Sequence, residues 1–430
     1  MKPSPHPPRT RLRLRSNPSF FFWAVLTALF AFVPALVPSA SAAPRYKVLY
    51  NFTGGADGGQ PQGLVEDAAG NLYGTTGLGG DPNCYGAWGR CGVVFKLDTA
   101  GKLTVLHKFT NGADGAFPYP TRALSGNTLY GAASQGGNLH CFYDYGCGVL
   151  FEINIQTHAL KVLHTFNGAD GLGPSGGLLL RSGVLYGTTI QGGSSGNCGY
   201  WYGCGVVYKL VLKTGAYTVL HNFDPSDGLF PSSSLTLDKT GKVLYGATPD
   251  GGSSGAGVVF RLTLKTSAYE VLYNFTGSPD AEYPYGPLAL DPSGNLYGDS
   301  QLGGSYPCRS DSGCGTVFVV HPSSGTDTVL YNFTGAADGN YPLAGVTQGV
   351  TGTLYGTTAW GGSNDDGTVF EFVKNTETVL HTFRGSDGSG PAADVIMDSK
   401  GTLFGTAQAG GSHRGGCGGY GCGVVWEITP

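Results

Sequence analysis

The sequence predicts an all-β fold, a seven-bladed β-propeller of four-stranded antiparallel blades. Three features lead there: a unit that recurs seven times, strand-like alternation within each unit, and chain ends that complement each other. The composition sets the frame. With 74 Gly and 25 Pro among 430 residues and only 13% charged residues, the chain is poorer in charge than the roughly one quarter usual in soluble domains. Yet 40% hydrophobic and 12% aromatic residues are too many for disorder, so a packed core is expected. The formal charge of −4 is spread without a basic block, which argues against a nucleic-acid partner.

The first 42 residues read as an address. Lys2, Arg9, Arg11, Arg13 and Arg15, with no acid among them, precede an apolar stretch from Phe20 to Val37 and the small-residue triplet Ala40-Ser41-Ala42. This is the pattern of a secretory signal cut after Ala42 or Ala43. The apolar run is nearly long enough to be an uncleaved anchor, but Pro34, Pro38 and the cleavage pattern favour removal. Cleavage removes five bases and takes the charge to −9. Two segments follow: a signal over 1–42 and a single propeller domain over 43–430, with no membrane span after cleavage and a secreted or extracytoplasmic location.

Three landmarks then recur in fixed order. An aromatic-bearing strand, Val48-Leu49-Tyr50-Asn51-Phe52, returns at Val105, Val162, Val219, Val271, Val329 and Val379, in steps of 57, 57, 57, 52, 58 and 50 residues. A Leu-Tyr-Gly element stands at Leu72, Leu129, Leu185, Leu244, Leu296 and Leu354, and as Leu-Phe-Gly at Leu403. A Gly-x-(Val/Leu)-aromatic strand begins at Gly92, Gly148, Gly205, Gly257, Gly315, Gly367 and Gly423. Within the first unit the strands are expected over 63–67, 71–76, 92–97 and 102–109. In the last of these Val105, His107 and Phe109 face one side in period two. Turns such as Asp67-Ala68-Ala69-Gly70 and Asp98-Thr99-Ala100-Gly101 join them. The last unit stops at its third strand while the chain opens with an orphan fourth, 46–52. Laid together they close the ring and cover an edge. A linear solenoid is the competing architecture, but its terminal repeats should differ as caps.

All ten cysteines fall between second and third strands, as the pairs Cys84 and Cys91, Cys141 and Cys147, Cys198 and Cys204, Cys308 and Cys314, and Cys417 and Cys422. From the Leu-Tyr-Gly glycine to the next strand's glycine there are 17 or 18 residues in these units and 11 in the two without cysteine. Each pair therefore travels with an insertion. In an exported chain an even count implies disulfides. Zinc is the competing chemistry, but pairs on separate blades would lie too far apart to share a metal.

An Asp-x-x-x-Pro turn links fourth to first strands at Asp57, Asp114, Asp170, Asp227, Asp280, Asp338 and Asp387. A ring of carboxylates could bind calcium, but one carboxylate per loop falls short of its six to eight oxygens. Each Asp is read instead as a cap on its own turn. The interchange of Tyr and His in the fourth strand (Tyr50, His107, His164, His221, Tyr273, Tyr331, His381) argues for packing rather than metal or proton chemistry. Asn-Phe-Thr at Asn51, Asn274 and Asn332 matches a glycosylation acceptor but is a fragment of the repeat. No His-Glu-x-x-His or phosphate loop is present, and no cofactor or metal is called for.

Aromatics crowd the second-to-third loops. Trp88, Trp201 and Trp360 lie there with Tyr85, Tyr143, Tyr145, Tyr200 and Tyr202 as binding candidates, joined by Phe142, Tyr306 and Tyr420. Propeller geometry places these loops and the Asp turns on one face. Rigid exposed aromatics suit stacking on sugar rings or docking a protein; the alternative is that they fold back over apolar strand ends.

The Leu-(Tyr/His)-x-Phe, Asp-Gly-x-x-Pro, Leu-Tyr-Gly-Thr-Thr and Gly-x-Val-Phe elements resemble the Gloeobacter/Verrucomicrobia tandem repeat, the GloVer repeat, over essentially all of the chain after the signal. The resemblance implies an extracytoplasmic bacterial protein, often with a C-terminal surface anchor, and brings no catalytic residues. This chain stops at Pro430 with no such tail, which leaves surface attachment open. The expectation is a monomeric binding or interaction module, for polysaccharide or a surface protein, and not an enzyme. A propeller-type hydrolase or lyase would need carboxylates or an Asp/His pair at the channel mouth. A structural envelope protein is the third alternative.

Overall fold

The computed structural model describes residues 43–84, 91–119, 122–141, 144–195, 198, 202–308, 312–349, 351–413 and 417–429. The expected signal over 1–42 lies outside the described residues. Among those described there is no α-helix, only a 3-10 turn at Cys417–Gly419. No helix among the described residues is long and apolar enough to cross a membrane.

Seven antiparallel blades form the propeller. In blade 1 the strands Gly59–Glu66, Leu72–Leu78, Val93–Leu97 and Leu103–Lys108 pair in chain order. Blades 2 to 6 repeat this, the inner strand of blade 2 being split into Ala116–Pro118 and Ala123–Ser125. Blade 7 is assembled from both ends of the chain. Ile396–Met397, Leu403–Ala407 and Val424–Thr429 are completed by Arg45–Asn51, with Arg45 opposite Thr429, Val48 opposite Trp426 and Asn51 opposite Val424. This is the closure expected from the orphan strand, and it leaves no open sheet edge at the join.

The landmarks now have physical roles. The last residue of each aromatic strand is a Phe buried to 1% exposure or less: Phe52, Phe109, Phe166, Phe223, Phe275, Phe333 and Phe383. Each meets, edge-on, the aromatic of the next blade's third strand. Phe52–Phe95, Phe109–Phe151 and Phe275–Phe318 have centroids 5.2, 5.3 and 4.9 Å apart, and Phe383–Trp426 6.2 Å. Such pairs add roughly 0.5–1.5 kcal/mol each beyond the area they bury. The glycine of Leu-Tyr-Gly makes room for that second ring. A Cβ on Gly74 would stand 2.6 Å from Phe95, and one on Gly405 2.2 Å from Trp426.

One expectation needs correction. Period two in the fourth strand is broken by a β-bulge in every blade, between Val48 and Tyr50 in blade 7 and at Leu106 in blade 1, where Val105 pairs with Phe95 and His107 with Val94. The extra residue sharpens the local twist and re-aims the Tyr or His toward the turn that follows.

Candidate functional site

The ten cysteines form five disulfides: Cys84–Cys91, Cys141–Cys147, Cys198–Cys204, Cys308–Cys314 and Cys417–Cys422. Each cystine is docked on the next blade's Asp turn. The carbonyl of the second cysteine accepts a hydrogen bond from the residue before the turn's proline: Cys422 from Gln60, Cys91 from Phe117, Cys147 from Gly173, Cys204 from Phe230 and Cys314 from Tyr341. In the two blades without cystine, Ala256 and Asp366 supply the carbonyl to Tyr283 and Gly390. Aiming that N–H backward holds all seven residues in the left-handed region, at φ between 54 and 63°. That conformation disfavours residues with a side chain. Cystine loops and Asp turns thus share one face, as propeller connectivity requires.

Every turn Asp is engaged in the same way. Its carboxylate accepts from a backbone N–H three or four residues earlier and from the ring of the preceding strand. Tyr50 donates to Asp57 at 3.1 Å, His107 bonds Asp114 at 2.9 Å, and the other five rings bond Asp170, Asp227, Asp280, Asp338 and Asp387 at 2.9–3.1 Å. Tyr and His interchange because both present a donor at the far end of a flat ring. Burial works against ionising Asp114, but the hydrogen bonds from His107 and Thr110 hold its carboxyl below the usual range.

The neighbouring blade compensates for which ring is present. Against His164, His221 and His381 it stacks Tyr217, Tyr269 and Tyr46, with centroids 3.6–4.0 Å apart, and each tyrosine hydroxyl donates to the backbone carbonyl of the turn Asp. Against Tyr273 and Tyr331 the same register carries acids, Asp327 and Glu377. Asp327 Oδ1 and Glu377 Oε1 are buried without a hydrogen-bond partner. Burial, and then the charge of Asp280, pushes Asp327 up to about 8; burial and Asp338 push Glu377 up to about 7.

Of the aromatic candidates, Tyr85, Trp88, Tyr143, Tyr200 and Trp201, with Phe142, lie outside the described residues. Tyr145 and Tyr202 are half-buried, and Tyr202 packs against the core under blades 2 and 3, as folding back requires. Trp360, Tyr306 and Tyr420 stand out at 46%, 49% and 82% exposure.

Sequence reasoning missed the mouth of the central channel, on this same face. Between the Leu-Tyr-Gly element and the Gly-Gly that follows, two residues differ from blade to blade. The first of them lines a cavity of about 640 Å³ at Gly77, Ser134, Ile190, Gln301 and Gln408. The second adds Gln135 there, and Gln191 and Asp250 in an adjoining notch of about 290 Å³; Trp360 holds the same register in blade 6. Tyr119 and Tyr285 complete the wall. Burial raises the Asp250 carboxyl, and burial and Asp250 raise Glu282 beside it.

Below the mouth, one residue per blade precedes a buried aliphatic of the inner strand: Gly63, Arg122, Gly177, Ser234, Pro287, Gly345 and Asp394. Two are charged, and they pair. Arg122 leaves blade 2, runs against Gly177 of blade 3 and forms an ion pair with Asp394 of blade 7. The pair therefore lies across the channel. Burial lowers the Arg122 guanidinium to about 10, still charged at neutral pH.

A sequence profile described as the Gloeobacter/Verrucomicrobia repeat matches residues 35–201 and 197–419. No curated protein sequence matches the chain. Among solved structures, the extracellular domain described as that of a one-component system from B. thetaiotaomicron superposes with a TM-score of 0.53 at 11% identity, over 89% of this chain and 39% of that one. This chain thus spans about two fifths of that structure's length, and at such identity the likeness is one of fold alone. A protein described as a 6-phosphogluconolactonase from Bacteroides uniformis (TM-score 0.46, 14% identity, 81% of this chain and 89% of that one) superposes more loosely. So does a gluconolactonase from Xanthomonas campestris (0.43, 11%, 90% and 89%), and neither carries an argument.

Proposed function

The chain belongs to the Gloeobacter/Verrucomicrobia repeat family, and on that premise we propose that it is an exported binding module that recognises polysaccharide through its cystine-loop face, residues 1–42 being the secretory signal. The propeller and its five disulfides suit an extracytoplasmic protein, since disulfides persist in oxidising compartments. One observation carries the reading: the cystines, the Asp turns and the exposed rings of Trp360, Tyr306 and Tyr420 belong to one face, around a channel mouth lined by amides and hydroxyls. Tyr306 and Tyr420 stand at cystine-closed loops and Trp360 is held by paired backbone hydrogen bonds with Asn340, so stacking on a sugar costs little conformational entropy. A glycan array on oxidised protein, repeated with Trp88→Ala/Trp201→Ala and with Trp360→Ala, tests the proposal. Binding to at least one polysaccharide, lost or weakened in these variants while the fold persists, is the expected result. Binding unchanged in all of them removes the aromatic face as the recognition surface.

A further inference from the structure

We propose that the funnel at the centre of this face is a binding subsite for a neutral saccharide, read by the residues that break the sevenfold repeat. The inference rests on the polysaccharide reading above and adds where on the face the sugar sits and which groups hold it.

The repeat itself supplies the first argument. Positions needed for blade packing recur in all seven units: the Phe that seals the boundary, the glycine under the neighbouring ring, the Asp that ties the turn. The position after Leu-Tyr-Gly-Thr-Thr does not recur. It reads Gly77, Ser134, Ile190, Pro249, Gln301, Ala359 and Gln408. Packing between repeats places no common demand there, and in repeat architectures such positions gather on the binding face. Here five of them, Gly77, Ser134, Ile190, Gln301 and Gln408, converge from distant segments onto one cavity, and Pro249 lines the adjoining notch.

The cavity suits a small ligand. Its volume of about 640 Å³ falls within the range of ligand pockets, roughly 300–1,000 Å³. A glutamine amide carries two donors and an acceptor, which matches sugar hydroxyls that both donate and accept; Gln408 Nε2 also donates to Gln62 Oε1 at 3.4 Å. Gln301 and Gln408 come from blades 5 and 7, while Tyr119 and Tyr285 line the wall from blades 2 and 5. The electrostatics select against charge. Asp394 is the acid on the cavity wall, and its counter-ion Arg122 is already committed to it. Among the described lining residues there is no lysine and no uncommitted arginine to meet a uronic acid or a phosphate. Asp250, in the notch that shares Ile190, Ser232 and Tyr285 with the funnel, would repel either.

The test is isothermal titration of oxidised protein with four neutral hexasaccharides, α-gluco, β-gluco, xylo and manno, and with hexagalacturonate as the anionic arm. Two variants accompany the unaltered protein. Gln301→Ala/Gln408→Ala removes the amides, and Ser134→Trp fills the funnel from blade 2. The expected result is that at least one neutral oligosaccharide binds, that both variants weaken it by ~10-fold or more, and that hexagalacturonate neither binds nor competes. Neutral binding that survives both variants overturns the funnel and leaves the face reading standing. Hexagalacturonate binding in place of the neutral sugars overturns the selectivity argued here. If no saccharide binds, and the array is also blank, the funnel and the polysaccharide reading fall together.

Discussion

Asp299 offers the sharpest test of how the blades are held together. At its position in the second strand, Thr75 and Thr406 donate their hydroxyls to the carbonyls of Tyr119 and Gln62 in the next blade. Blade 5 reverses the polarity: Asp299 Oδ1 accepts the N–H of Gly345 at 3.0 Å, and Oδ2 is buried without a partner. The residue is 2% exposed. Burial pushes its carboxyl from an ordinary 3.8 up to about 7, against the lowering effect of the Gly345 N–H. Between those values the folded chain keeps a proton that the unfolded chain has released, so stability falls as pH rises through this window and levels off above it. A rise of about 3 units corresponds to roughly 4 kcal/mol, at about 1.4 kcal/mol per unit. Asp299→Asn keeps the acceptor for Gly345 and cannot ionise. The variant should match the unaltered protein near pH 4 and exceed its stability by about 4 kcal/mol at pH 8. Guanidinium unfolding of both proteins across this range gives the difference curve. Asp327 and Glu377 contribute equally to the two proteins and cancel. Parallel stability profiles would refute the reasoning, because they would mean that Asp299 takes no proton on folding.

Further outcomes follow from the same contacts. His107→Tyr should be tolerated, since Tyr50 makes the same bond to Asp57 against Leu103, the counterpart of Leu160 in blade 2; His107→Phe leaves the Asp114 carboxylate short of a donor and should cost about 1–3 kcal/mol in chemical denaturation. Arg122→Ala strands the Asp394 carboxylate in the channel and should destabilise by roughly 3–5 kcal/mol, while Arg122→Ala/Asp394→Ser recovers most of the loss; a double variant no better than the single one would contradict the pairing. Replacing Cys84 and Cys91 together by Ala opens a loop of a few residues and should lower stability by about 2 kcal/mol on the chain-entropy account, measured as a shift in the denaturant midpoint.

Much of the architecture was legible in the sequence because its signals are local and repeated. The orphan strand over 46–52 and the truncated last unit gave the ring closure, and the insertion shared by each cysteine pair gave the disulfides. The bulge at Leu106 was hidden for the same reason: an extra residue present in every copy leaves no mismatch against which to see it. The Tyr/His interchange was correctly placed in packing, but its partner was not found. The clue was the residue two before each Val, where Tyr46, Tyr217 and Tyr269 accompany a histidine of the preceding blade and Asp327 and Glu377 accompany a tyrosine. The channel mouth carries no motif at all. Its walls take one to three residues from each of several distant segments, so only alignment of the repeats against each other, followed by the question of which columns fail to repeat, would have marked Gln301 and Gln408.

The pairing of Arg45–Asn51 with Val424–Thr429 also bears on how this protein is made. Its earliest strand must wait some 370 residues for its neighbour, a contact of very long sequence separation whose entropy cost falls due before any reward. A ribosome that stops early, or a protease that trims the tail, therefore leaves a product with a bare β-edge open to other chains. Only a chain that carries both strands can hide it, so the fold itself tests whether the later one has been made.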